Sequence, residues 1–72
     1  MMREEFLAQK ITVLRIEPSQ LSILQNNCVR TMADFLAQTE ETFSRMKAKN
    51  GMAYTAQYMR LKGIIKKKLE SL

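Results

Sequence analysis

The sequence predicts an all-α fold: a compact domain of four to five helices with two hairpin turns, ending in one long helix. Three observations predict it. From Met52 to about Ser71 the chain contains no proline, and Tyr54, Tyr58, Leu61, Ile65, Leu69 and Leu72 recur at spacings of three and four, which places them along one helical face. Upstream, Thr31 and Thr39 each precede a short run that mixes acids with apolar residues: Asp34 among Met32, Phe35 and Leu36, then Glu40 and Glu41 ahead of Phe43 and Met46. A threonine hydroxyl can accept from the orphan N–H groups of a first helical turn, and carboxylates suit that positive end. Only Ile11-Thr12-Val13-Leu14 is rich in β-branched residues, and no second segment has the strand periodicity to pair with it.

In chain order, Met2 to Gln9 reads as a short amphipathic helix carrying Phe6 and Leu7. Residues 11–14 follow as an extended segment or frayed turn packed against helices. Ile16-Glu17-Pro18-Ser19 is the clearest helix start, because proline suits the first turn and Ser19 or Glu17 can supply a cap. That helix runs from about Pro18 to Asn26, turns Leu21, Ile23 and Leu24 partly inward, and ends at Asn26-Asn27, since asparagine tolerates left-handed geometry. Val29 enters the first hairpin beside Cys28, which reads as a small buried residue. The two threonine-capped pieces are too brief to hold themselves, so the helices before and after them must be their scaffold. Lys49-Asn50-Gly51 marks the second hairpin, with Gly51 able to take a positive φ. The last helix then starts at Met52. Gly63 within it costs about 1 kcal/mol relative to alanine, which points to a bend or a close helix crossing. Phe35, Phe43, Tyr54 and Tyr58 read as core, and Met32, Met46, Met52 and Met59 as fillers of core gaps.

Seventy-two residues hold one domain, near the size at which a core is marginal. Within it, residues 1–12 are an N-terminal helix or extension and 13–72 the core. Apolar residues at 46% and charged ones at 26% match an ordinary globular chain rather than a disordered one. The absence of histidine and the single cysteine argue against a metal site, a bound cofactor and an internal disulfide. With no nucleophile and base pair and no glycine-rich phosphate loop, catalysis is set aside. No apolar run approaches the roughly 20 residues that span a bilayer, and a start bearing Glu4 and Glu5 lacks the pattern of a secretory signal. A cytoplasmic location and no membrane partner are expected. Charge is lopsided: residues 43–72 carry eight basic side chains against Glu70 alone, a net of +7, whereas residues 1–42 carry four against six acids, a net of −2. A basic half attracts polyanions.

The order of these motifs resembles the C-terminal domain of the bacterial RNA polymerase alpha subunit, a helix-hairpin-helix module, over roughly Val13 to Leu72. Val13-Leu14-Arg15-Ile16 is similar to that family's lead-in, Leu24 sits where its first helix has a leucine, and Val29-Arg30-Thr31 resembles its I-x-T. Ala33 through Glu40 resembles its x-D-L-L-x-x-T-E, and Gly51 falls near its second hairpin glycine. The resemblance implies a helix-hairpin-helix-like fold and DNA binding in transcription. In that family an arginine near the start of the first core helix enters the minor groove, supported by an asparagine three residues on, and the second hairpin meets phosphates. Here those two positions hold Ser19 and Ser22, Cys28 stands where glycine is usual, and the second hairpin is one residue longer. Serine cannot supply the guanidinium that a narrow minor groove attracts.

Two functional expectations follow. One is weak or non-specific DNA association through Lys47, Lys49, Asn50 and Gly51, with Arg45 adding charge, Arg60 on the basic side of the last helix, and Ser19 and Ser22 at the former groove-reading positions. The other is a protein-interaction module, docking a protein partner or a second copy of itself through an apolar or methionine-bearing patch.

Overall fold

Helix ends decide how this chain folds. The computed structural model describes residues 2–71, of which the side chain of Met2 is excepted. Along it run α1 (Met2–Ala8), a 3-10 turn (Ile11–Val13), α2 (Pro18–Asn26), α3 (Met32–Leu36), α4 (Glu40–Arg45) and the long α5 (Thr55–Glu70), with no strand among the described residues. Leu72, expected on the apolar face of the last helix, lies outside the described residues.

The start of α2 has Pro18 in its first turn but no side-chain cap from Glu17, and Ser19 is free of any capping bond, contrary to expectation. Proline already removes one of the orphan donors, and its ring fixes φ in the helical range, so the start stands on backbone geometry. At the other end the left-handed residue is not an asparagine. Asn27 keeps φ −104° and Cys28 takes φ 64°. The Cys28 N–H donates to the Gln25 carbonyl (3.1 Å) and the Val29 N–H to the Leu24 carbonyl (3.0 Å), the two bonds of a Schellman stop. Leu24 and Val29, the two positions that such a stop brings together, are both buried in the core. The left-handed turn pushes the thiol outward, so Cys28 is exposed rather than buried.

Both threonines cap as expected. Thr31 Oγ1 accepts from the Asp34 N–H (3.2 Å) while the Asp34 carboxylate accepts from the Thr31 N–H (3.1 Å) and the Arg30 N–H (3.2 Å). At α4 the reciprocal partner is another hydroxyl: Thr42 Oγ1 accepts from the Thr39 N–H at 2.8 Å and Thr39 Oγ1 from the Thr42 N–H at 3.2 Å. Ahead of α3, the Ile11 N–H donates to the Arg30 carbonyl and the Met32 N–H to the Gln9 carbonyl. The residue just before the β-branched run thus makes one bridge, Lys10 with Thr31, and the buried Ile11 of the run joins the core.

The second hairpin delays the last helix. Gly51, at φ 84°, donates its N–H to the Ala48 carbonyl (2.8 Å), and the Ala48 N–H donates to the Met52 carbonyl (2.9 Å). This is a turn followed by a left-handed glycine, closed by an antiparallel bridge between Lys47 and Ala53. Met52 and Ala53 are spent on that closure, so α5 begins at Thr55 and not at Met52. Met52 is left 55% exposed instead of filling a core gap.

The core is gathered on aromatics. Phe43 lies 5.3 Å from Phe35 and 5.1 Å from Tyr58, ring centre to ring centre, which joins α3, α4 and α5. The buried Tyr58 hydroxyl donates to the Gln20 carbonyl of α2 (2.8 Å). Burial, with Tyr54 nearby, pushes its pKa up to about 12. Lys62 donates to the Gln38 carbonyl and ties the segment just after α3 to α5. Around Gly63 a methyl group would meet nothing within 4 Å, so the glycine serves no close crossing.

Candidate nucleic-acid interface

One face of α2 repeats polar residues at helical spacing: Ser19, Ser22 and Asn26, with Asn27 just past its end. The hairpin after α4 passes alongside this face. The result is a groove of about 280 Å³ whose polar lining is Ser19, Ser22, Asn26, Asn27, Lys47 and Lys49. Four of the residues expected at an interface therefore converge, although two come from α2 and two from a turn far along the chain. Sequence reasoning missed Asn26 and Asn27, which it used only as helix enders. Their spacing from Ser19 and Ser22 was the available signal.

No carboxylate lines this groove among the described residues, and neither Lys47 nor Lys49 is held by an ion pair or hydrogen bond there. The serine hydroxyls and the Asn26 amide are likewise without a partner in the chain, while Asn27 donates to the Ile23 carbonyl at 2.7 Å. Two free ammonium groups with hydroxyls and amides between them make a surface that suits anionic oxygens.

The other expected residues sit differently. Asn50 shapes the turn, its side-chain oxygen accepting from the Met52 N–H at 2.9 Å. Gly51, expected among the DNA-associating residues, has its N–H taken by the Ala48 carbonyl. Arg45 pairs with Glu41 at 2.6 Å on the exposed side of α4, and Arg60 lines a different groove beside Ile16 and Gln20. Within the hairpin the Ala48, Gly51 and Met52 N–H groups are engaged in the turn itself, while the Lys47 and Lys49 side chains line the groove.

Asp34, under the first hairpin, is held below the ordinary carboxylate pKa by the backbone N–H groups of Arg30 and Thr31, so its charge belongs to the cap. Among the described residues no helix is long and apolar enough to cross a membrane, and no group of three or more His, Cys, Asp or Glu could hold a metal ion. No family model, curated protein or solved structure matches this chain.

Proposed function

We propose that this domain is a non-catalytic module that associates weakly and without base preference with DNA, in a transcription-related role, through the groove between α2 and the second hairpin. The observation that carries the reading is the convergence of Lys47 and Lys49 with Ser19 and Ser22 around one acid-free groove. The motif order described above supports the link to transcription. Ammonium groups on a hairpin suit phosphate oxygens, and the serine and asparagine side chains suit sugar and phosphate rather than a base edge. A serine at the groove-reading positions accounts for the lack of sequence preference.

The magnitude follows from counterion release. Two lysines displacing about two counterions give a log–log salt slope near −2, so affinity falls about tenfold between 50 and 200 mM salt. A duplex titration followed by amide chemical shifts at both salts tests this. Shifts are expected at residues 19–27 and 47–51, and Lys47→Glu with Lys49→Glu should reduce both affinity and salt slope. Arg45→Ala and Arg60→Ala should change little, because neither residue lines the groove. An affinity indifferent to the lysine reversals overturns the reading.

A further inference from the structure

A second surface lies along α5, and no residue that lines it also lines the groove just described. Its walls are Leu61 and Ile64 of α5 on one side and Val13, Leu14 and Ile16, the segment leading into α2, on the other. Two hollows, of about 230 and 280 Å³, meet at the shared Leu61 and Ile64 and so form one track. From Gln57 to Lys68 the α5 wall spans about 16 Å, three helical turns. Val13 is 54% and Ile64 50% exposed, although both stand among half-buried apolar neighbours that pack on the core. Isolated exposed apolar residues are ordinary, but a continuous apolar track is the form taken by docking sites.

Charge decides what fits it. The charged residues lining the track are Arg15, Arg60 and Lys68, and none of the described lining residues is acidic. A second copy of this chain would bring that cationic rim, and the Lys66-Lys67-Lys68 run beside it, against their own counterparts, which opposes self-pairing. A nucleic acid has no apolar ridge to fill the centre of the track. We infer that this track docks an amphipathic helix of a protein partner, with apolar anchors at i, i+4 and i+7 set between Leu61, Ile64 and Val13 and with acidic flanks on Arg15, Arg60 and Lys68. The inference stands independently of DNA binding.

The test uses the whole chain and a synthetic capped peptide of about 16 residues, leucine at the anchor positions and glutamate with alanine elsewhere, against the same peptide with lysine for glutamate. The glutamate peptide should bind saturably, shift amides at residues 13–16 and 57–68, and bind roughly tenfold more tightly than the lysine peptide. Ile64→Asp should weaken it roughly fivefold or more, as should Val13→Asp, which lies outside the long helices and guards against a folding artefact. Arg15→Glu with Lys68→Glu should weaken it and reverse the preference between peptides. Equal binding of the two peptides, shifts confined to other residues, or indifference to both Ile64→Asp and Val13→Asp overturns the inference. So does occupation of the same residues by phosphatidylglycerol vesicles or by a second copy when the glutamate peptide does not bind.

Discussion

At the scale of single residues, Cys28 is the clearest misfit between side chain and backbone. It closes a helix stop whose geometry asks for glycine, at φ 64°, with its thiol exposed and outside the core. A left-handed non-glycine residue costs roughly 1–2 kcal/mol, whereas glycine forfeits about half of that gain through the entropy of the unfolded chain. Cys28→Gly should therefore stabilise the domain by about 0.5–1 kcal/mol and raise the melting temperature by a few degrees. Cys28→Ala, which keeps the strain, should not, and differential scanning calorimetry on the two variants separates the cases. Tyr58 makes a second residue-level prediction. Its pKa is raised from 10.0 to about 12, so the fold retains the proton that the unfolded chain releases. Its contribution to stability is full below pH 10, declines above it, and is lost as pH passes about 12. In Tyr58→Phe that group no longer titrates, so urea midpoints of wild type and variant should converge as pH rises through this window. A constant gap would show that the Tyr58 hydroxyl does not couple to folding.

At the scale of elements, what was legible was what local chemistry decides. The bounds of α2 follow from Pro18 at one end and the chain reversal at the other, and Thr31 and Thr39 announce α3 and α4. Missed were the features settled by neighbours. The start of α5 moved to Thr55 because Met52 and Ala53 close the hairpin, and the Lys10–Thr31 bridge depends on two segments meeting in space. The short α3 makes the cost of losing a cap measurable. Thr31→Ala removes the acceptor of the Asp34 N–H and should destabilise the domain by about 1 kcal/mol. The Asp34 carboxylate, lowered from 3.8 by its two backbone donors, adds stability above that pH and loses it as pH falls through the lower folded value. Asp34→Asn should therefore show a shallower loss of stability in acid than wild type, read from denaturant midpoints. An unchanged acid slope would place the charge outside the capping network.

At the scale of the whole molecule, the uneven charge was visible in the sequence, but its division between two surfaces was not. Lys47 and Lys49 meet Ser19 and Ser22 only through tertiary structure, while Arg60 and Lys68 turn to an apolar track that no sequence spacing reveals, because one of its walls is the irregular segment 13–16. The two grooves share no lining residue, so substitutions in one should leave the other within about twofold, the usual limit of additivity for separated sites. Lys47→Glu with Lys49→Glu should weaken DNA and spare the acidic peptide; Ile64→Asp should do the reverse. Electrostatics adds one qualification with a definite sign. The body is 18 Å across its short axes, and the screening length is about 10 Å at 0.1 M salt but about 30 Å at 0.01 M. In dilute salt, acidic peptide bound on the α5 track should lower the field felt by DNA at the hairpin, and DNA should weaken the peptide by the same factor, as linkage requires. Near 0.15 M that mutual effect should vanish. Titrating each ligand in the presence of the other at both salts measures it, and a coupling that survives in physiological salt would mean that the two ligands contend for one surface.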